Sequence, residues 1–270
     1  MNPLRLFLLL AVAAFPGALW PASVSAQSAD ALFYERALLA EADRRCDLFE
    51  SPVSAALLAS SGQARGAALR ATSPAAVRAV QGRALARAAR TPCASPELQT
   101  AAGRVRVAYQ GWSQLRHMTF PGRRAAWRAD RTVSEGARWR LAQTTRLGDQ
   151  AALFGLASEG REPPRLTAVA RLRERPAYVR LSLPNGKAFL AEGRRPAPKA
   201  LQPRGWGEPL AFRFSTAAAA ALAQLDPATV VKLEFVSPTR SGEKARSARI
   251  EVGDFAAGQA FVALGAPLRP

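Results

Sequence analysis

The sequence predicts an α+β protein: an N-terminal antiparallel four-helix bundle with one disulfide, then a mostly antiparallel β domain with one or two helices. Three observations carry this. Ser51-Pro52, Ser73-Pro74 and Ser95-Pro96 recur every 22 residues, and each pair suits the cap and first position of a helix. From Val133 onward the apolar spacing changes from helical to alternating. The only two cysteines, Cys46 and Cys93, fall at one end of the bundle that such helices would make.

Residues 1–26 read as a secretory leader. Arg5 precedes the apolar run Leu6 to Phe15, which is shorter than the roughly 20 residues a membrane span needs. Pro16 and Gly17 break the run, and Val24-Ser25-Ala26 forms a small-residue cleavage site before Gln27. The expected address is the periplasm or the medium, with no transmembrane segment after leader cleavage. In that oxidising setting Cys46 and Cys93 are expected to pair.

Asp30 is expected to cap a first helix running to about Phe49, with Leu32, Leu39, Ala42, Cys46 and Phe49 on one side. The second helix opens at Ser51-Pro52 and runs to about Arg70. The third opens at Ser73-Pro74 and runs to about Arg90, where Thr91-Pro92 stops it. The fourth, Ser95 to Arg116, has the widest apolar face: Leu98, Ala101, Ala102, Val105, Ala108, Tyr109, Trp112 and Leu115. It reads as the helix around which the others assemble. Similar lengths and short loops give an up-down-up-down bundle over 28–118. That topology brings the end of the first helix, with Cys46, beside the loop that carries Cys93. Residues 119–132 read as a connector, with a turn at Phe120-Pro121-Gly122 and Trp127 packed back on the bundle.

Residues 133–264 read as the β-rich domain, and 265–270 as a tail. Trp139, Leu141 and Gln143 share one side of a strand, Leu147 to Gln150 is a turn, and Ala151 to Ala157 returns. Leu166, Ala168, Ala170 and Leu172 alternate with Arg165, Thr167, Val169, Arg171 and Arg173, a half-buried strand with a basic outer face. Ala177, Val179, Leu181 and Leu183 repeat the pattern up to the Pro184-Asn185-Gly186 turn. Prolines and glycines across 192–209 predict a long surface loop. Leu210, Phe212 and Phe214 make a strand; Ser215 or Thr216 caps a short helix that Asp226-Pro227 ends. Val231, Leu233 and Phe235, then Ala248, Ile250 and Val252, give two more strands, and Asp254 is expected to cap a last helix.

The order strand, short helix, strand, strand, then Gly253-Asp254-Phe255-Ala256-Ala257 and a closing helix resembles the invasion-associated locus B family of exported bacterial proteins. The Trp139 strand is similar to that family's opening Trp strand. The resemblance spans residues 139–264 and implies an envelope or secreted role without a particular chemistry. The family's characteristic cysteines are absent from this half, and the bundle is an addition.

The sequence offers no catalytic motif. His117 is the single histidine, placed at the end of the fourth helix, where a helix C-terminus favours a positive imidazole. Glu35, Glu41, Asp43 and Asp47 are the densest acidic group, but Arg44 and Arg45 stand among them, as on a solvated helix face. Gly103, Gly111, Gly155 and Gly160 lack the spacing of a phosphate loop. Two cysteines and one histidine cannot complete a four-ligand zinc site without carboxylates. No catalytic residue, metal or cofactor is therefore assigned.

Charge is the remaining lead. The chain carries 38 Lys and Arg against 20 Asp and Glu, a net +18, and only Lys187, Lys199, Lys232 and Lys244 are lysines. Residues 51–129 hold twelve Arg and a single acid, Glu97, whereas 27–50 hold six acids and three Arg. On the third helix Arg83, Arg87 and Arg90 share a narrow arc beside the apolar Val77, Ala84 and Ala88. These arginines are the candidate anion-binding residues. The expectation is a non-enzymatic exported envelope protein that binds or scaffolds an anionic envelope polymer, lipid headgroups or an acidic protein. Nucleic acid is not expected outside the cell. The alternatives are an envelope hydrolase using carboxylates in a cleft between the halves, and a purely structural interaction module.

Overall fold

A computed structural model of the chain describes residues 28–131, 139–158, 164–172, 176–207, 209–239 and 242–263. The leader, Val133 and the tail at 265–270 lie outside the described residues. Four helices come first: α1 (Ala29–Cys46), α2 (Ser51–Ala71), α3 (Pro74–Arg90) and α4 (Pro96–Ser113). The hydroxyl of Ser73 accepts the Ala76 N–H at 3.2 Å and that of Ser95 accepts the Leu98 N–H at 3.3 Å, with proline next in each case.

The other two starts differ from expectation. Ser28, not Asp30, caps α1 by accepting the Ala31 N–H. Glu50 holds the cap position of α2 without a side-chain bond, so Ser51 is already helical. The connection between them is closed by Asp43, whose carboxylate accepts the Phe49 N–H at 3.0 Å and the Ser54 hydroxyl at 2.6 Å. α1 stops at Cys46 rather than near Phe49, because Asp47 turns left-handed with φ 52°. Phe49 still reaches the core.

Within the bundle α1, not α4, is central: it packs along both α2 and α3. Phe33, Ala37, Ala64, Ala68, Leu69, Val77, Val80 and Ala84 form one apolar cluster. Leu39, Ala42, Phe49, Leu57, Ala88, Leu98 and Ala102 form a second. Only Leu98 and Ala102 of α4 are buried, and Ala108 and Leu115 are exposed. Trp112 of the same stripe has another partner, since its ring meets Phe261 edge-on at 5.4 Å.

The expected connector is a hairpin. Strands β1 (His117–Pro121) and β2 (Ala126–Asp130) pair antiparallel, with Phe120 opposite Trp127. Alternation turns Phe120, Trp127 and Ala129 to one buried face. Trp127 therefore belongs to the β core and not to the bundle. Its Nε1–H donates to the carbonyls of Glu251 and Val252, and its ring lies 4.7 Å from that of Phe255.

The remaining strands are β3 (Arg140–Leu147), β4 (Gln150–Ala157), β5 (Thr167–Ala170), β6 (Tyr178–Ser182), β7 (Ala188–Leu190), β8 (Arg194–Pro196), β9 (Leu210–Arg213), β10 (Val230–Thr239) and β11 (Gly242–Glu251). Helix α5 (Thr216–Ala223) follows β9 and α6 (Phe255–Ala263) follows β11. One sheet has the order β1-β2-β3-β4-β5-β9-β8 and the other β11-β10-β6-β7, every pairing antiparallel. Leu141, Phe154 and Ala168 of the first sheet share a core with Val179, Leu181, Leu233 and Ile250 of the second. Phe212 and Phe235 meet across it at 5.8 Å.

Two surfaces expected to face water are covered. Thr167 and Val169, on the supposed basic side of β5, are fully buried. The supposed surface loop supplies the cover: β8 extends the sheet, and a 3-10 turn at Lys199–Leu201 lays Ala197, Ala200 and Leu201 against Ala142, Ala157, Val169 and Ala211. Arginines flank β5 in sequence, but the strand itself is apolar on both faces.

Candidate functional site

The helical spacing of α3 decides where its arginines go. Val77, Val80, Ala84 and Ala88 recur at three- and four-residue steps and are buried against α1 and α2. Arg83, Arg87 and Arg90 lie beside that stripe and are all exposed. No ion pair among the described residues engages them. All three residues thus stand exposed on one side of α3, as their spacing predicts.

The bridge between Cys46 and Cys93 braces one end of this flank. Its sulfurs are 2.01 Å apart and its α-carbons 5.6 Å apart. It joins the last residue of α1 to the short loop that follows Arg90 and Thr91. Beside it Arg45 donates to the Thr91 carbonyl, and the Gln99 amide donates to the Cys93 carbonyl at 2.8 Å. Arg106 of α4 holds the same end, donating to the Leu48 carbonyl at 2.7 Å with its guanidinium over the Phe49 ring.

Arg83 has neighbours that helical spacing does not reveal. It borders a groove of about 490 Å³ between α1, α3 and α4, floored by Tyr34, Leu38, Leu39, Val80 and Ala101. Asp30 and Glu35 line the α1 side and Arg104 the α4 side. Arg83 therefore stands between acids and cations, while Arg87 and Arg90 continue toward the disulfide. A second groove of about 410 Å³ lies over α1 between α2 and α3, with Glu41, Asp43, Arg44 and Arg65 among its lining residues.

Glu41 and Asp43, the carboxylates of the second groove, are engaged. Glu41 pairs with Arg44, whose hydrogen bond is the main cause of a carboxyl pKa below its ordinary value. Asp43 closes the α1–α2 connection, as described. In the β half Glu251 accepts the N–H groups of Arg124 and Ala125, and Asp130 takes the Arg140 Nε at 2.7 Å. Glu234 lies under Lys232, Arg180 and Ser182, with the Lys232 Nζ at 2.6 Å and the Arg180 Nη2 at 2.8 Å. The Lys232 hydrogen bond is the largest of several that lower its pKa. His117 is not at a helix end; it opens β1 opposite Asp130, whose carboxylate Arg140 already holds. Among the described residues no three His, Cys, Asp or Glu gather as metal ligands.

One carboxylate has a different place from the one its position in the sequence predicts. Asp254 stands where a cap for α6 is expected, and its carbonyl accepts the Gly258 N–H at 3.0 Å. Its carboxylate makes no capping bond and is fully buried against α2. The nearest cation is Arg70, and Gly66 leaves the space the carboxylate fills. Burial, opposed by Arg70, raises the Asp254 pKa to about 6. An isolated glycine inside a helical pattern, Gly66, was the available signal.

No helix among the described residues is long and apolar enough to cross a membrane. No family model, curated protein or solved structure matches this chain.

Proposed function

We propose that this protein is a non-enzymatic, exported envelope protein that holds an anionic polymer or membrane surface against the arginine flank of α3. The observation that carries the reading is the exposure of Arg83, Arg87 and Arg90 together on one side of a packed helix. Guanidinium forks suit phosphate and carboxylate because they donate two parallel hydrogen bonds. The net charge of +18 supplies a background field that draws polyanions to the surface. The leader-like residues 1–26 and the disulfide support an address outside the cytoplasm. The envelope role agrees with the resemblance of residues 139–264 to the invasion-associated locus B family. Hydrolysis by a carboxylate pair has less support, because Glu41 and Asp43 of the second groove already hold structural partners and Asp30 and Glu35 of the first share it with Arg83 and Arg104.

The test compares wild type with Arg83→Gln/Arg87→Gln/Arg90→Gln. Retention is measured on anionic vesicles and on purified anionic envelope polymer, at low and moderate salt. Each basic residue near an anionic surface contributes about 1 kcal/mol, so the triple variant should bind up to roughly a hundredfold less. Wild-type retention should fall with salt, since the screening length is about 8 Å at physiological ionic strength. Loss on one matrix alone identifies lipid or polymer as the target. Equal retention of both proteins would reduce the arginines to surface composition and leave the structural interaction module as the better reading.

A further inference from the structure

Sheets end at edges, where backbone N–H and C=O groups have no neighbouring strand. The two sheets here end at β1, β8, β7 and β11. β7 and β8 are three residues each, and β8 closes on Pro196. β1 has five residues and ends at Pro121. Short length and proline are ordinary ways of blunting an edge. β11 is different, with ten residues from Gly242 to Glu251.

Its pairing with β10 sets which backbone groups face outward. The Glu251 N–H donates to the Gln143 side-chain oxygen at 3.0 Å, and the Glu251 carbonyl accepts the Gln143 amide at 3.1 Å. The Arg249 carbonyl accepts the Thr145 hydroxyl at 2.8 Å. Side chains of β3 thus stand in for a missing strand at this end. In an antiparallel ladder each residue turns both backbone groups to one side, and the side alternates. Ser247, Ala245 and Glu243 therefore face outward as Glu251 and Arg249 do. The stretch from Glu243 to Ser247 is exposed, apart from a half-buried Arg246.

We propose that the β11 edge from Glu243 to Ser247 takes up an extended acidic segment of a partner protein as an added strand. The choice of partner rests on charge. Lys244 and Arg246 stand on this edge, and Arg249 stands at its tied end. The one acid between Glu243 and Ser247 is Glu243, which already accepts the Tyr178 hydroxyl at 3.0 Å, and Glu251 at the tied end accepts the N–H groups of Arg124 and Ala125. Opposite charges across a strand pair stabilise it and like charges oppose it. An acidic strand fits; the same edge of a second copy brings the same cations. Backbone hydrogen bonds supply the attachment and the alternate side chains select the sequence. This surface is separate from α3, so the inference stands independently of the arginine flank.

The probe is a labelled synthetic peptide alternating valine and glutamate, followed by fluorescence anisotropy. Saturable binding to the wild-type protein is expected, with no binding of the valine–lysine counterpart. Ala245→Pro removes one outward N–H that β10 does not use, and should weaken binding roughly tenfold. Lys244→Gln/Arg246→Gln should weaken it and flatten its salt dependence. A probe-side control avoids any folding defect in the variants. Two peptides are N-methylated at alternate residues, one on each side of the strand; one should lose binding and the other keep it. Arg83→Gln/Arg87→Gln/Arg90→Gln should bind the peptide as wild type does. The proposal is overturned if the acidic peptide shows no saturable binding, or if both methylated peptides bind like the parent. A wild-type dimer that Ala245→Pro abolishes would assign the edge to a second copy and overturn it equally.

Discussion

The Oδ1 atom of Asp254 lies 3.5 Å from Nη1 of Arg70, inside the contact between α6 and α2 that joins the β half to the bundle. That separation is too long for a full hydrogen bond, and neither carboxylate oxygen has another partner. Arg70 divides its attention, since the same Nη1 donates to the Pro121 carbonyl at 3.2 Å. Nearby Arg65 is occupied by Asp226 at 2.9 Å. A charged carboxylate at this junction is therefore poorly compensated.

The first prediction concerns pH. Burial is the largest influence on Asp254 and raises its pKa from 3.8 to about 6 in the folded chain. The folded state then holds a proton that the unfolded state releases. The stabilisation is complete below about pH 3.8 and is lost as pH rises through about 6. A shift of this size corresponds to about 3 kcal/mol. Asp254→Asn should be more stable than wild type near pH 7.5 and should lose the slope between pH 4 and 7. Urea unfolding across that range measures both. Glu234 has the opposite sign: its lowered pKa gives stability that is present above the ordinary carboxylate range and lost on acidification. Wild type should therefore be most stable at mildly acidic pH. Identical pH profiles for wild type and Asp254→Asn would show that the junction tolerates the charge.

Much of this fold can be read from residues, and the misses have physical causes. Ser73-Pro74 and Ser95-Pro96 mark helix starts because the signal is local: a hydroxyl reaches an N–H three residues away. The Cys46–Cys93 pairing follows from there being two cysteines in a chain whose first residues read as an export leader, and helix lengths with short loops independently place both at one end of the bundle. The exposure of Arg83, Arg87 and Arg90 follows from three- and four-residue steps beside an apolar stripe. Acid neighbours for Arg83 could not be read, because Asp30 and Glu35 come from α1, distant in sequence. β1 and β2 were hidden by their length of five residues and by their partners, which lie in β3 and α6. Asp254 looked like a helix cap because sequence shows the position of a carboxylate, not what is packed against it.

The second prediction concerns the disulfide. It links residues 47 apart, and in the chain-entropy model a loop of that size is worth about 4 kcal/mol, reduced by any residual structure in the unfolded chain. Cys46→Ser/Cys93→Ser should lower the unfolding midpoint strongly, and reducing agent should do the same to wild type. Thiol titration of the denatured, unreduced protein should find almost no free thiol. A value near two thiols per chain, or a variant as stable as wild type, would remove the bridge from the account.

The last prediction separates two glycines on one helix. Gly62 and Gly66 are one turn apart in α2, and in a helix interior alanine is favoured over glycine by about 1 kcal/mol. A methyl at Gly62 would meet nothing within 4 Å. Gly62→Ala should therefore stabilise the protein by up to about 1 kcal/mol. A methyl at Gly66 would overlap the Asp254 Oδ1, with the Arg70 guanidinium also close. The carboxylate must move to admit that methyl, and it does so inside a fully buried contact. Gly66→Ala should cost about 1–3 kcal/mol, the usual range for overpacking, despite its gain in helix propensity. Combining it with Asp254→Ala should recover much of the loss, because the overlapping atom is then absent. Chemical denaturation of the two single variants and the double variant decides the matter. If Gly66→Ala behaves like Gly62→Ala, α2 does not approach the carboxylate closely, and the Asp254–Arg70 junction loses its basis.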